Sequence, residues 1–417
     1  MSTAPFALLA ISSTAADQFD CAKQFAQSQP AFPPIWRGEP YTHDRIRVAY
    51  LSSDLREHAI AYLTVGMFEH HDRSRFETTA ISFGPEQDSD FCRRVKASFE
   101  HFIDVHAQSD QDIADLIRQL EIDILVDLNG LSGNGRPSIL ARRPAPIQVN
   151  YLGYPGTTGT DHDYIFADAT VVPAEHFDFY SEKVAWLPGS FLANDRTRGI
   201  AQRVPSRDEL NLPETGFVFC CFNQSYKIDP AVFDVWMRLL SAVDGSVLWL
   251  KDSDATALRN LCIEAERRGV APERLIFAPS VANVEDHLAR HRQGDLFLDT
   301  LHYNAHTTAS DSLWTGVPVI TCLGTTYAGR VAASLLRAVG LPELVTESLQ
   351  EYEKSALMIA RDPGLLASLK AKLAHNRETF PLFDTARFTR DVEVAYTKMW
   401  QRSQRGEPAA HFAAEQK

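Results

Sequence analysis

No apolar run in this sequence approaches the roughly 18 residues of a membrane-spanning helix. The six cysteines, Cys21, Cys92, Cys220, Cys221, Cys262 and Cys322, form no CxxC pair. They read as reduced core thiols of a cytosolic protein, with neither a zinc site nor a disulfide framework. Basic excess is absent too: 41 Lys and Arg face 54 Asp and Glu, a net charge of −13. That balance excludes general binding to nucleic acid or an anionic membrane, although an acidic protein can still hold a locally positive anion pocket. The apolar start at residues 5–11 has no basic region before it, so a secretory signal is not indicated and the cytoplasm is the expected compartment. No GxGxxG follows the first strand, which argues against a dehydrogenase. No repeat of 20 to 50 residues is found. The histidines are scattered, and Asp252-Ser253-Asp254 reads as a turn and helix cap, so no metal is expected.

What is present is an ordinary globular composition, 45% hydrophobic and 23% charged, over 417 residues. That length suits two α/β domains of roughly 150 to 200 residues each. Residues 1–44 read as a docking helix (16–27) followed by a stiff connector with Pro30, Pro33 and Pro34. From residue 45, β-rich runs at 46–51, 78–83, 123–128, 147–152 and 164–167 alternate with helical patterns such as 110–120, the rhythm of a parallel, doubly wound sheet. The rhythm pauses at 188–213 and restarts with strands at 217–222, 247–250, 275–278 and 296–299, between helices at 229–243, 255–268 and 284–291. Two Rossmann-like lobes follow, 45–205 and 206–385, facing a central cleft, with a C-terminal helix and tail at 386–417.

Candidate chemistry collects after the strands. Asp299 ends a strand, and His306, Thr307 and Thr308 then open a helix, where free N–H groups and the dipole favour an anion such as a diphosphate. Asp311, one turn on, returns to the same face and suits a ribose or sugar hydroxyl. A capped helix start fits these residues equally well. Gln224 and Lys227 lie between a strand and the helix opened by Asp229-Pro230, and a lysine there can neutralise a leaving diphosphate. His58, just past the first strand, has the chemistry of a general acid or base. His287 and Arg290 share one helix face, where a guanidinium suits a phosphate or a uracil-type carbonyl. The glycines of 130–135 are spaced GxxGxG, a turn or a ligand loop.

Between Ile46 and Trp400 the chain resembles the catalytic region of O-linked N-acetylglucosaminyltransferases, glycosyltransferase family 41. The resemblance rests on Leu51-Ser52-Ser53-Asp54 with His58, Arg143-Pro144-Ala145-Pro146-Ile147-Gln148, Leu152-Gly153-Tyr154-Pro155-Gly156-Thr157-Thr158-Gly159, Asp163-Tyr164-Ile165, Asn223-Gln224-Ser225-Tyr226-Lys227-Ile228, His306-Thr307-Thr308 with Asp311, and Arg330-Val331-Ala332-Ala333-Ser334. It implies a GT-B fold and inverting, metal-independent transfer with no cofactor. The sugar, N-acetylglucosamine from UDP-GlcNAc, would go to Ser or Thr hydroxyls of a protein or peptide acceptor. By motif position, Gln224 and Lys227 would contact the diphosphate, and His306, Thr307 and Thr308 phosphate and sugar. Asp311 would contact the ribose, and Ala282, His287 and Arg290 the base side. His58, Asp123 or a donor phosphate is the expected proton acceptor. Asp123 stands where animal members carry a second cleft histidine, and Val284 where they carry a lysine. The tetratricopeptide repeats that usually precede this region are not visible. UDP-glucose or GDP-fucose as donor, a nucleotide-sugar binding scaffold with little transfer, and an epimerase or hydrolase are the alternatives.

Overall fold

The computed structural model describes residues 4–159 and 161–415. Seven strands follow one another in the first part of the chain: β1 (Ile46–Ser52), β2 (Phe76–Ser82), β3 (His101–Asp104), β4 (Ile124–Asp127), β5 (Ile147–Asn150), β6 (Tyr164–Ala167) and β7 (Lys183–Trp186). Six more build a second sheet: β8 (Val218–Cys221), β9 (Val247–Lys251), β10 (Leu275–Ala278), β11 (Leu296–Leu298), β12 (Val319–Cys322) and β13 (Val345–Thr346). A last short strand, β14 (Phe412–Ala413), returns to the first sheet beside β7. The strand orders are β14-β7-β6-β5-β4-β1-β2-β3 and β10-β9-β8-β11-β12-β13. Every pairing among the described residues is parallel.

Parallel strands covered by helices on both faces must be apolar almost throughout. Accordingly β8, Val218-Phe219-Cys220-Cys221, is buried along its whole length, and β1 is buried except at Arg47. The chain divides into two compact units, one holding most of the first 197 residues together with everything from Pro381 onward, the other Arg198–Phe380. The divisions fall a few residues before the expected 205 and 385. The C-terminal helix, Thr385–Gln404, is not a separate appendage, because it packs within the first unit.

An aromatic cluster shows why. Tyr396 donates to the Tyr50 hydroxyl at 3.1 Å, Tyr50 meets His71 Nε2 at 2.7 Å, and Glu393 meets His71 Nδ1 at 3.0 Å. All four side chains are buried. The opposite face of the sheet is closed by Ile113, Ala114 and Ile117 of helix Asp110–Gln119, packed with Ala49, Leu51 and Leu125. Helix Ala15–Ser28 starts with a reciprocal cap between Thr14 and Asp17. The connector after it is fixed by Ile35 and Trp36 N–H bonds to the Arg142 and Arg143 carbonyls, and the Arg142 guanidinium lies 3.6 Å from the centre of the Phe32 ring. No helix of the described residues is long and apolar enough to cross a membrane. Of the six cysteines, Cys92, Cys220 and Cys221 are buried and Cys21, Cys262 and Cys322 only partly so.

In an open parallel sheet, ligands bind where the winding reverses, outside the carboxyl ends of the strands. The reversals here fall between β1 and β4 in the first unit and between β8 and β11 in the second. Asp123 therefore cannot serve as expected. It precedes β4, at the amino end of the strand, and its Oδ2 accepts from the Arg47 N–H at 2.9 Å and faces His43 Nδ1 at 3.0 Å. His58 follows the carboxyl end of β1, at the other edge of the same sheet.

Removing the carboxylate in Glu393→Ala leaves His71 Nδ1 and the Asp72 N–H without their shared partner, a change that costs about 1 to 3 kcal/mol. Urea unfolding should show that loss, with Glu393→Gln much closer to wild type.

Candidate active site

At the β8/β11 reversal, two loops meet around a buried carboxylate. Asp299 directly follows β11, and its Oδ1 accepts from the Ala305 N–H at 2.6 Å and the Thr300 N–H at 2.8 Å, while Oδ2 accepts from Thr321 Oγ1 at 2.7 Å. These bonds fold residues 299–306 into a tight loop, helped by His302 in a left-handed conformation (φ 43°). Asn223, from the loop after β8, donates to Thr300 Oγ1 at 2.8 Å and accepts from Thr308 Oγ1 at 2.5 Å. The two loops are thereby fixed to the first turn of helix Thr307–Thr315.

Lys227 enters this frame from the end of the β8 loop. Its Nζ donates to the Asn304 carbonyl at 3.1 Å and sits 3.6 Å from the centre of the buried Tyr303 ring. Burial pushes the Lys227 ammonium down to about 8, against the pull of Asp299, and burial raises Asp299 to about 7. The result is a cation with little competing hydration at the helix start.

His306 occupies the N-cap position without capping through its side chain. Its Nε2 lies 3.1 Å from the Ala328 carbonyl, which only accepts, so Nε2 carries the proton and Nδ1 remains an acceptor. Burial, then the Lys227 charge, pushes its pKa down to about 3, so the ring is neutral. Ala328 belongs to the loop after β12, where Gly324 and Gly329 pass so closely that a Cβ on Gly324 would stand 2.6 Å from the Gly329 carbonyl. Thr307 and Thr308 occupy the first two helical positions, half-buried, and Gln224 is exposed before Lys227.

On the neighbouring helix, Val284–His291, burial lowers His287 to about 4. Arg290 Nη2 lies 2.7 Å from His287 Nδ1, which must then accept, and His287 Nε2 contacts His291 Nε2 at 3.3 Å. Arg290 also donates to the Pro279 carbonyl at 2.5 Å and is buried. The helix face foreseen as an open guanidinium is thus a fixed pair, with Arg290 holding His287. Ala282 lies exposed one residue before the Asn283 cap. Asp311 is nearly enclosed and paired with Arg198 at 2.5 Å, a partner that sequence spacing did not suggest. Burial raises its pKa despite that cation.

In the first unit, Asn129 joins the ends of β1 and β4. It accepts from Ser52 Oγ at 2.9 Å and the Ser53 N–H at 3.0 Å, and donates to Asp54 Oδ2 at 2.8 Å. His58 caps helix Ala59–Glu69 by accepting the Ile60 N–H on Nδ1 at 3.3 Å. Burial lowers its pKa. Of the expected site residues, Gln224, Lys227, His306, Thr307, Thr308, Asp311, His287, Arg290 and Ala282 fall in the second unit, and His58 and Asp123 in the first. Asp299, Asn223, Tyr303 and Arg198 were not foreseen as site residues. Only Asp299 had a readable signal, as the acid that ends an apolar strand. Among the described residues no group of three or more His, Cys, Asp and Glu is placed to hold a metal ion.

Two parallel-sheet α/β units, the second with an anion-ready helix start and a half-buried lysine at its winding reversal, have the architecture of a GT-B glycosyltransferase. A mutant of the Thermobaculum terrenum O-GlcNAc transferase superposes with a TM-score of 0.85 at 32% identity, covering 96% of this chain and 76% of that one. An Anabaena protein solved with UDP and glucose shares the fold at 13% identity, with a TM-score of 0.57 over 85% of this chain and 100% of its own. The chain belongs to glycosyltransferase family 41, whose model matches residues 32–204 and 193–392. It is 38% identical, over 92% of its length, to a probable UDP-N-acetylglucosamine–peptide N-acetylglucosaminyltransferase SEC of Arabidopsis thaliana. It is also 30% identical, over 88% of its length, to a Caenorhabditis elegans UDP-N-acetylglucosamine–peptide N-acetylglucosaminyltransferase. The chain spans 40% and 42% of those two proteins.

Asp299→Ala strips the acceptor from two N–H groups and one hydroxyl, each costing about 1 to 3 kcal/mol when left buried and unpaired. Thermal unfolding should reveal a markedly weakened second unit. Asp299→Asn, which keeps an acceptor oxygen, should lose much less.

Proposed function

We propose that this protein transfers N-acetylglucosamine from UDP-GlcNAc to serine or threonine hydroxyls of protein acceptors, with inversion at the anomeric carbon and without a divalent metal. The observation that carries the reading is Lys227, a half-buried ammonium fixed by Tyr303 and Asn304 beside the free N–H groups of helix Thr307–Thr315. The printed names of the relatives supply the sugar and the peptide acceptor.

In this mechanism the diphosphate rests against the helix start, with Thr307, Thr308 and Gln224 around it, and Lys227 balances the charge that grows as the glycosidic bond breaks. His306 accepts a hydrogen bond from the donor on Nδ1. The fixed His287 and Arg290 pair and Ala282 flank the base, and Asp311 takes the ribose. In the first unit His58, whose Nδ1 is occupied by the Ile60 N–H, presents Nε2 as a donor when neutral. The proton of the attacking hydroxyl then passes to a donor phosphate oxygen. Cysteines without CxxC spacing, half of them buried, suit a cytoplasmic setting.

Lys227→Ala should lower kcat by about 10²- to 10³-fold while the KM for UDP-GlcNAc stays within a few-fold, as expected for a group that acts mainly in the transition state. Wild-type turnover on a peptide acceptor in that variant would sink the leaving-group role. Tight UDP binding by the wild-type protein with no transfer over hours would favour a scaffold instead. A lysine is charged below its pKa, so turnover should be steady on the acid side and fall as the pH rises through about 8. In Asp299→Asn the opposing charge is gone, and the fall should begin at lower pH.

A further inference from the structure

Residues 198–201 run along the second unit between the two helices that flank the proposed nucleoside site. At one end the Arg198 carbonyl accepts from Trp314 Nε1 at 3.2 Å, on helix Thr307–Thr315. At the other the Ala201 N–H donates to the Glu285 carbonyl at 3.2 Å, on helix Val284–His291. Between them Gly199 lies so close to Glu285 that a Cβ would stand 2.3 Å from its Oε1. A larger residue there would have to turn the Glu285 side chain aside.

Arg198 points from this strap at Asp311. Nη1 donates to Asp311 Oδ1 at 2.5 Å and Nη2 to Ser310 Oγ at 3.3 Å, with the two charged side chains only 7% and 12% exposed. Arg198 Nε is buried and has no hydrogen-bond partner among the described residues. The fork also fixes the Asp311 carboxylate while leaving it acceptor capacity for a hydroxyl. A carboxylate held in one orientation with acceptor capacity to spare matches a ribose hydroxyl, which donates to it.

We propose that Arg198 is a positioning residue: it fixes the Asp311 carboxylate that reads the ribose hydroxyls of the nucleotide, making the site selective for ribonucleotides over 2′-deoxyribonucleotides, and the 198–201 strap forms the wall that holds it there. The inference rests on the nucleotide-sugar reading of this site and extends it to a residue outside the motifs that carry the family resemblance. Nothing about it depends on which sugar is transferred.

Isothermal titration of the full chain with UDP and with 2′-deoxy-UDP tests it. Wild type should bind UDP at least about tenfold more tightly, the scale set by one well-made hydrogen bond to a charged group. Arg198→Met, which keeps the stem and removes the fork, should bring the two nucleotides to within about threefold. Arg198→Lys should fall between, since it keeps a charge but loses the fork. Equal affinities in wild type, or an undiminished preference for UDP in Arg198→Met, would overturn the proposal. If Arg198→Met fails to fold, the wild-type ratio and Arg198→Lys still decide. No binding of UDP by the wild-type protein would instead overturn the nucleotide-sugar reading itself, which separates the two failures.

Discussion

Asp299 is a carboxylate withdrawn from water at the end of β11, and most of the candidate site is built on its oxygens. A buried charge of this kind persists only where hydrogen bonds and a counter-charge offset its desolvation. Here the donors are two backbone N–H groups of its own loop and Thr321 of the next strand, and the counter-charge is Lys227. Because the loop 299–306 closes on that carboxylate, Tyr303 and Asn304 are brought to the lysine and His306 to the helix start. Loop conformation, lysine placement and local charge are therefore one constraint rather than three.

The rest of the second-unit site follows the same economy. Its ionisable groups are mostly engaged with one another: Arg290 with His287, His287 with His291, His291 with Ser312, and Arg198 with Asp311. Burial keeps His287 and His306 neutral, so they act as oriented dipoles and not as charges. Such a site is pre-organised, since its side chains need little rearrangement when a ligand arrives. What it has left to offer is small and directional: helix N–H groups, the Lys227 ammonium, and the spare acceptor capacity of Asp311, held by Arg198.

Much of this was legible in the chain. The two rounds of alternating strands and helices, the helix opened by Asp229-Pro230, the Asp254 cap and the strand-to-helix turn at 299–307 could all be read from periodicity and cap residues. The very short or partly exposed strands β3, β13 and β14 could not, because two to four residues carry too little pattern to separate from a loop. Asp123 was misplaced for a different reason. The β-rich run at 123–128 already begins with it, but its role was taken from motif position alone, and one strand length separates the amino from the carboxyl edge of the sheet. Arg290 and Arg198 show the limit from the other side: a surface arginine and a buried, paired one look alike in sequence, since their partners lie on other segments of the chain.

The first unit contributes differently to the proposed chemistry. At its own winding reversal, Asn129 ties Ser52, Ser53 and Asp54 together and so fixes the loop that leads to His58. That histidine spends one ring nitrogen on the helix it caps, and burial disfavours its protonation. A neutral ring whose Nδ1 already accepts has only an N–H to present, which suits holding an oxygen in place better than taking a proton from it. With Asp123 at the far edge of the sheet, neither expected side chain of this unit is set up as a base. In the proposed mechanism proton removal then falls to the oxygens of the departing diphosphate, whose growing charge makes them better acceptors as the bond to the sugar breaks. On this reading the first unit positions an acceptor, while the charge chemistry is concentrated around Lys227 and the helix start beside it.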